Sequence, residues 1–195
     1  MRVSDSIRLH YPRYWGFRTY PADRVCAVCK IDEEWGVFSN FAQTPLVVDG
    51  VRFDTSERLF QTMKFTDPES RRAVYGKKGN PKMTAKHWQK EGRLRPDWWE
   101  RLVDAMKFCL NEKFRQSEAF RAELARTGGR PIVEDQTTFP RKTADAWGAK
   151  RTPDGASFVG PNLLGRLLME MRDGGGVLAY DRPLPADLVS FRDLA

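Results

Sequence analysis

The sequence predicts a mainly α (α+β) fold: a compact single domain of several helices, with a few short strands and a hairpin toward its N-terminal end. Three observations predict it. Residues 67–129 carry a succession of helix-capping and helix-breaking residues around apolar stripes at helical spacing. Residues 46–53 set Asp49-Gly50 between two β-rich runs, the pattern of a type I′ hairpin. Residues 25–31 form a short apolar run of strand composition.

Composition bounds the class. A chain of 195 residues that is 41% hydrophobic and 12% aromatic can bury a sizeable core and is not a disordered sequence. No apolar run approaches membrane-spanning length and the first residues lack an apolar signal core, so a cytoplasmic protein with no membrane partner is expected. The net charge of +7 points to an anionic partner such as a phosphate, a nucleotide or a nucleic acid. Cys26 and Cys29 make one CxxC with no second pair, strand alternation turns them to opposite faces, and His10 and His87 are the only histidines. No metal site and no disulfide framework are expected.

Taken in order, residues 1–34 read as an aromatic lead-in (Tyr11, Tyr14, Trp15, Phe17, Tyr20) followed by the 25–31 strand. Trp35, Phe38, Asn40 and Phe41 fall in a segment broken by Gly36 and Asn40, a loop whose aromatics either stack a ligand ring or belong to the core. The hairpin then delivers the chain into a helix starting near Asp54. There Leu59, Phe60 and Met63 share one face, while Glu57, Gln61 and Lys64 fall at i, i+4 and i+7 on another. Asp54 and Glu57 also have the spacing of a capping box, in which the carboxylate satisfies a backbone N–H.

Asp67-Pro68 and Asn80-Pro81 are N-cap and N1 pairs opening two helices, through about Tyr75 and Gly92. Lys77, Lys78, Lys82, Lys86 and Lys90 make this part of the chain basic, suited to a phosphate backbone or to solvent. Asp97 opens the longest helix, with Trp99, Leu102, Val103, Met106, Cys109, Leu110 and Phe114 as its apolar stripe. Ser117 opens another, which Gly128-Gly129 ends. Residues 131–134 suit a brief strand. Residues 135–161 lapse into a polar loop containing Gly and Pro, long enough to suggest function. Asn162 caps a last helix that stops at Gly174, and residues 175–195 read as a loose tail with one short helix from Pro185.

Nucleophile-elbow, P-loop, dinucleotide and zinc-protease signatures are absent. With so few histidines, acid–base work falls to carboxylates, a kit that suits cleavage of a glycosidic bond through an oxocarbenium-like transition state. A carboxylate can stabilise that cation or activate water, and a Trp can stack the departing base. Glu57, at a helix start, and Asp145 and Trp147, in the long loop, are the catalytic candidates.

Trp35-Gly36 with Phe38-Ser39-Asn40-Phe41, then Thr55-Ser56-Glu57 running into Phe60-Gln61 and Lys64-Phe65, then Asp145-Ala146-Trp147-Gly148, then residues 162–172 resemble, in order, the successive motifs of the NADAR (YbiA-like) family. The resemblance implies a domain over residues 35–174, preceded by an N-terminal extension (1–34) and followed by a C-terminal tail (175–195). It also implies cleavage of N-glycosidic bonds between ribose and a base, with no metal or redox cofactor. Two substrates go with the family. The first, and the one expected for this chain, is ADP-ribose on guanine in nucleic acid, a modification that would make an ADP-ribosyltransferase toxin the partner. The second is a phosphorylated ribosylamino-pyrimidine, an early intermediate of riboflavin synthesis. A catalytically silent ADP-ribose or nucleotide binder is the non-enzymatic alternative.

By position, Glu57 matches the family's catalytic glutamate, and Asp145 and Trp147 its D-x-W-G residues. Trp35, Phe38, Asn40, Phe41, Gln61, Lys64 and Asn162 would contact or position substrate, Lys64 at a phosphate or ribose oxygen. Arg58 and Leu59 stand where members often carry His and Tyr, a departure that bears on selectivity if those side chains reach substrate.

Overall fold

Side-chain caps and turn residues define most element boundaries in the computed structural model, which describes residues 1–194. In chain order the helices are α1 (Val3–His10), α2 (Ser56–Thr62), α3 (Pro68–Gly76), α4 (Pro81–Lys90), α5 (Trp98–Gln116), α6 (Glu118–Arg126), α7 (Leu163–Asp173) and α8 (Ala186–Val189). The strands are β1 (Arg18–Pro21), β2 (Cys26–Val28), β3 (Leu46–Val48), β4 (Val51–Phe53), β5 (Ile132–Glu134), β6 (Lys150–Arg151) and β7 (Ser157–Gly160). The fold is α+β and mainly helical. The chain divides into two units, one from residues 1–39 and 117–178, the other from residue 40 to 116 and from 179 onward.

In the first unit, β1, β7 and β6 form an antiparallel sheet with β7 in the centre, and β2 pairs in parallel with β5. Tyr20, Val133, Ala149 and Phe158 bury themselves between these strands. Helix α7 lies on β5, and the approach is close at Gly165: a Cβ there would collide with the Ile132 carbonyl and the Asn162 amide.

Three expectations change here. Residues 1–34 contain a helix, α1, and a sheet strand, β1, as well as β2. Helix α1 is polar apart from a few residues, with only Ser6 and Ile7 buried, so it carries little periodic signal. Residues 135–161 are not structureless. They hold β6 and β7, joined through Pro153-Asp154-Gly155, with the Thr152 N–H donating to Ser157 O and Gly155 at φ 73°. Asn162 precedes α7 but does not cap it with its side chain. It sits in the left-handed region (φ 52°), and its amide pairs with β5 instead.

In the second unit the β3–β4 hairpin turns at Asp49 (φ 52°) and Gly50 (φ 80°), as type I′ geometry requires. Thr55, Asp67 and Asn80 cap α2, α3 and α4, each accepting a backbone N–H. The core stripe of α5 is shifted by one position at its start: Trp98, not Trp99, is buried, followed by Leu102, Val103, Met106, Cys109 and Leu110, while Phe114 is half-buried.

The C-terminal segment is tied down rather than loose. The Asp49 carboxylate accepts from Ser190 Oγ, the Phe191 N–H and Arg192 Nε, and the Arg71 guanidinium donates to the Asp187 and Ser190 carbonyls. Phe191 is fully buried edge-on to Phe53, with ring centroids 5.0 Å apart. The short helix from Pro185 is α8.

Candidate active site

Helix α2 carries the densest polar cluster in its unit. Because Thr55 is the N-cap, its hydroxyl accepting from the Arg58 N–H at 3.1 Å, Glu57 is released from capping. The capping-box reading of Asp54 and Glu57 therefore falls away. The Glu57 carboxylate is 6% exposed and accepts from Gln61 Nε2 at 2.9 Å, one helical turn on. The Glu57 N–H donates to the Asn40 carbonyl at 2.8 Å, and the Ser56 hydroxyl donates to Asn40 Oδ1 at 3.1 Å. Asn40, buried, thus fastens the first turn of α2 from outside the helix and donates its own Nδ2 to the Met106 sulfur. Phe41 follows, half-buried.

Two groups on this stripe are poised for a partner. The Gln61 amide is oriented by giving its NH₂ to Glu57, which leaves Oε1 buried with no hydrogen-bond partner among the described residues. Lys64, half-buried, points its Nζ across the Phe60 and Trp98 rings, 5.8 and 5.6 Å from their centroids. Burial pushes the Lys64 ammonium down to about 8; Glu57 pulls it back up and Lys82 adds to the depression. An ammonium held by aromatic faces and one nearby carboxylate, with no hydrogen bond of its own among the described residues, is suited to a substrate anion. Trp98 belongs to this cluster and sequence reading missed it. The signal was present, in that Trp98 and Trp99 are adjacent and only one can face inward, but helical phase alone chose the wrong one.

Arg58 does not join this stripe. Its guanidinium turns away to donate to the carbonyls of Val74, Tyr75, Lys77 and Gly79. Leu59 is fully buried core.

In the other unit, Asp145 lies in a tight polar knot. Its Oδ1 accepts from Gln136 Nε2 at 2.7 Å and from the Trp147 N–H at 2.9 Å, and its own N–H donates to Gln136 Oε1 at 2.8 Å. Gln136, buried and reciprocally bonded to Asp145, holds that carboxylate in place, and sequence reading missed it. Gly148 is required here, since a Cβ would strike the Glu134 carbonyl and the Gln136 side chain. Trp147 is half-buried.

Asn162, fully buried, receives the Glu134 N–H on Oδ1 and gives Nδ2 to the Ile132 carbonyl, so it acts as a one-residue strand mate for β5. Trp35, in the left-handed region (φ 68°), stacks on the buried Phe38 at 6.0 Å and lies beneath the Arg126 and Arg130 guanidiniums. Glu57, Gln61, Lys64, Asn40 and Phe41 thus belong to one unit, and Asp145, Trp147, Asn162, Trp35 and Phe38 to the other. Among the described residues no group of three or more His, Cys, Asp or Glu side chains is placed to hold a metal ion, and no helix is long and apolar enough to cross a membrane.

A carboxylate at the first turn of a helix, an amide ordered by it and an aromatic-seated ammonium on the same stripe match the motif order noted above. The NADAR domain model matches residues 29–174. The chain belongs to the NADAR family. N-glycosidase YbiA of Shigella boydii serotype 4 is 33% identical over 153 residues, spanning 77% of this chain and 88% of that protein, and N-glycosidase YbiA of Escherichia coli K12 matches to the same extent. Riboflavin biosynthesis protein VVA0006 of Vibrio vulnificus is 29% identical over 165 residues, which are 84% of this chain and 41% of that longer protein. The NMR structure of E. coli YbiA superposes with a TM-score of 0.61 at 31% identity, covering 78% of this chain and 84% of that one. This NADAR chain is thereby an enzyme of the glycosidase class.

Proposed function

We propose that this chain hydrolyses the N-glycosidic bond of a phosphorylated ribosylamino-pyrimidine, with Glu57 at the reacting sugar carbon and Lys64 at the phosphate. The observation that carries the reading is the α2 stripe, where the buried Glu57 carboxylate, the orphaned Gln61 Oε1 and the Lys64 ammonium follow one another along one helix. A ribose phosphate offers each a counterpart: developing positive charge at C1′ for the carboxylate, hydroxyl donors for Oε1, and an anion for the ammonium. In the reaction the C1′–N bond breaks with its electron pair passing to the departing nitrogen. Water oxygen adds to C1′, and Glu57 takes the water proton and passes it on to the departing amine.

For Asp145 and Trp147 the support is the family motif and, within their own unit, the carboxylate of Asp145 fixing the Trp147 backbone. The name of the Vibrio relative supports a substrate from riboflavin synthesis. Removal of ADP-ribose from guanine in nucleic acid is the second reading, with an ADP-ribosyltransferase as the enzyme that makes its substrate. The observation favouring it is the run of lysines on α4 and the turn before it, Lys77, Lys78, Lys82, Lys86 and Lys90. Parallel assays of base release from the ribosylamino-pyrimidine phosphate and of ADP-ribose release from modified guanine DNA test the two. Turnover of the modified DNA alone would overturn the first reading.

A further inference from the structure

Residues 73–90 contain five lysines and no Asp or Glu. Elsewhere many basic side chains sit in ion pairs, among them Arg71 with Asp193, Arg95 with Asp97 and Asp187, Arg101 with Asp97, and Arg126 with Glu34 and Glu123. Lys77, Lys78, Lys82, Lys86 and Lys90 are all exposed, and none makes an ion pair among the described residues. A surface that merely needs solvating intersperses both signs of charge; this one presents a single sign.

Lys77 and Lys78 border an apolar and aromatic groove of about 470 Å³ between α3 and α4, lined also by Ala73, Met83, His87 and Trp88. Met83 is 64% exposed, a large apolar side chain left in solvent. Trp88 packs against the cluster of Phe65, Val74 and Ala85 and stays half-buried, with His87 edge-on to it at 5.4 Å and the Arg93 guanidinium 6.0 Å from its ring centroid. Helical phase divides α4 into two slopes: Met83, Thr84, His87 and Trp88 turn to the groove, while Lys82, Lys86 and Lys90 fall one turn apart on the other flank, an ammonium about every 6 Å. The groove's far wall, residues 77–79, is held in place by Arg58, whose guanidinium fastens the carbonyls of Val74, Tyr75, Lys77 and Gly79.

We infer that the α3–α4 face binds a single strand of nucleic acid, with the phosphates along the lysine flank of α4 and the bases turned over its crest against Met83, His87 and Trp88. Cations on one side and stacking faces on the other match the two sides of an unpaired strand, and not those of a duplex, whose bases are already stacked on each other. Helix α4 has 10 residues, about 15 Å, so it accommodates a short segment of two or three nucleotides. The inference does not depend on which ribosyl substrate the glycosidase takes. It gives the second reading a place for the nucleic acid, because Lys82 is near enough for its charge to act on Lys64.

The test is fluorescence anisotropy with labelled dT12, U12 and a 12-base-pair duplex across a salt series, using the full chain and the variant Lys86→Glu/Lys90→Glu. The wild type should bind the single strands more tightly than the duplex. The double variant should bind them at least about tenfold more weakly, with the salt slope shallower by roughly 1.4, the loss of two phosphate contacts at about 0.7 each. His87→Ala and Trp88→Leu, each checked by thermal melting, should weaken binding with an unchanged salt slope; His87→Ala serves alone if Trp88→Leu does not fold. N-glycosidase turnover of a small ribosyl substrate should be the same in the lysine variant and the wild type. Equal affinity for duplex and single strand, or unchanged binding by the lysine variant, would overturn the inference. Preference between dT12 and U12 assigns the strand to DNA or RNA.

Discussion

Lys64→Met separates what Lys64 does for stability from what it does for substrate. In the folded chain its pKa is depressed from 10.5 to about 8, chiefly by burial. A depression of about 2.5 units corresponds to about 3 kcal/mol against the charged form at neutral pH. Contacts with the Phe60 and Trp98 rings return about 1 kcal/mol of that, and Met retains their packing. Replacing Lys64 with Met should therefore stabilise the chain by about 1–3 kcal/mol at pH 7.

The sign follows from proton linkage. Between pH 8 and 10.5 the unfolded chain holds more protons at this site than the folded one, so the wild type gains stability from Lys64 as pH rises through that window. The advantage of the Met variant is thus full below pH 8 and gone by about pH 10.5. Lys113, whose ammonium burial lowers to about 7, contributes a similar slope to both proteins and cancels in the difference. Urea unfolding of both proteins at pH 7 and pH 10 measures it. The same variant should raise KM for a phosphorylated ribosyl substrate at least tenfold while changing kcat less. A Met variant that is less stable at pH 7, or whose advantage is the same at pH 10, would refute the account of a desolvated ammonium kept for substrate.

Three further outcomes are expected. Glu57→Gln keeps the size of the buried side chain beside Gln61, so the melting temperature should fall by a few degrees at most while kcat drops by about 10² to 10⁴; unchanged turnover with an intact fold would remove Glu57 from the reaction. Asn162→Ala leaves the Glu134 N–H and the Ile132 carbonyl without partners inside the first unit and should cost about 2–4 kcal/mol in denaturant unfolding. Arg58→Lys replaces a planar fork that reaches four carbonyls with a single ammonium, so it should cost about 1–3 kcal/mol and speed amide exchange over residues 77–79, with little effect on KM. A large KM change in that variant would return Arg58 to the substrate.

Local rules were legible wherever one residue carries the signal alone. The caps Asp67, Asn80 and Ser117 each close a ring with a backbone N–H within a turn of themselves, and Asp49-Gly50 adopts the positive φ angles that a two-residue hairpin needs. Thr55 rather than Asp54 takes the cap at α2, a shift of one residue, and that shift frees Glu57. What the sequence does not display is pairing over distance. Strand β2 meets β5 across 103 intervening positions (between residue 28 and residue 132), and a three-residue strand has too little alternation to announce a partner. Strand β7, in the sheet centre, is preceded by a Pro-Asp-Gly turn that could have revealed the β6–β7 hairpin, had the length of the loop not suggested irregularity.

Arg58 shows how a departure from a family pattern is resolved by direction rather than by chemistry. Beside Glu57 in sequence, it stands 100° around the helix from it, and its fork is saturated by the end of α3 and the turn that follows. Two carbonyls at the C-terminus of α3, Val74 and Tyr75, and two in the turn that follows are thereby satisfied from a neighbouring helix. The residue next to the candidate catalytic glutamate therefore acts on the groove wall and not on the α2 stripe. If the α3–α4 face takes a nucleic-acid strand, the same substitution that sets this chain apart beside Glu57 is the one that shapes its second binding surface.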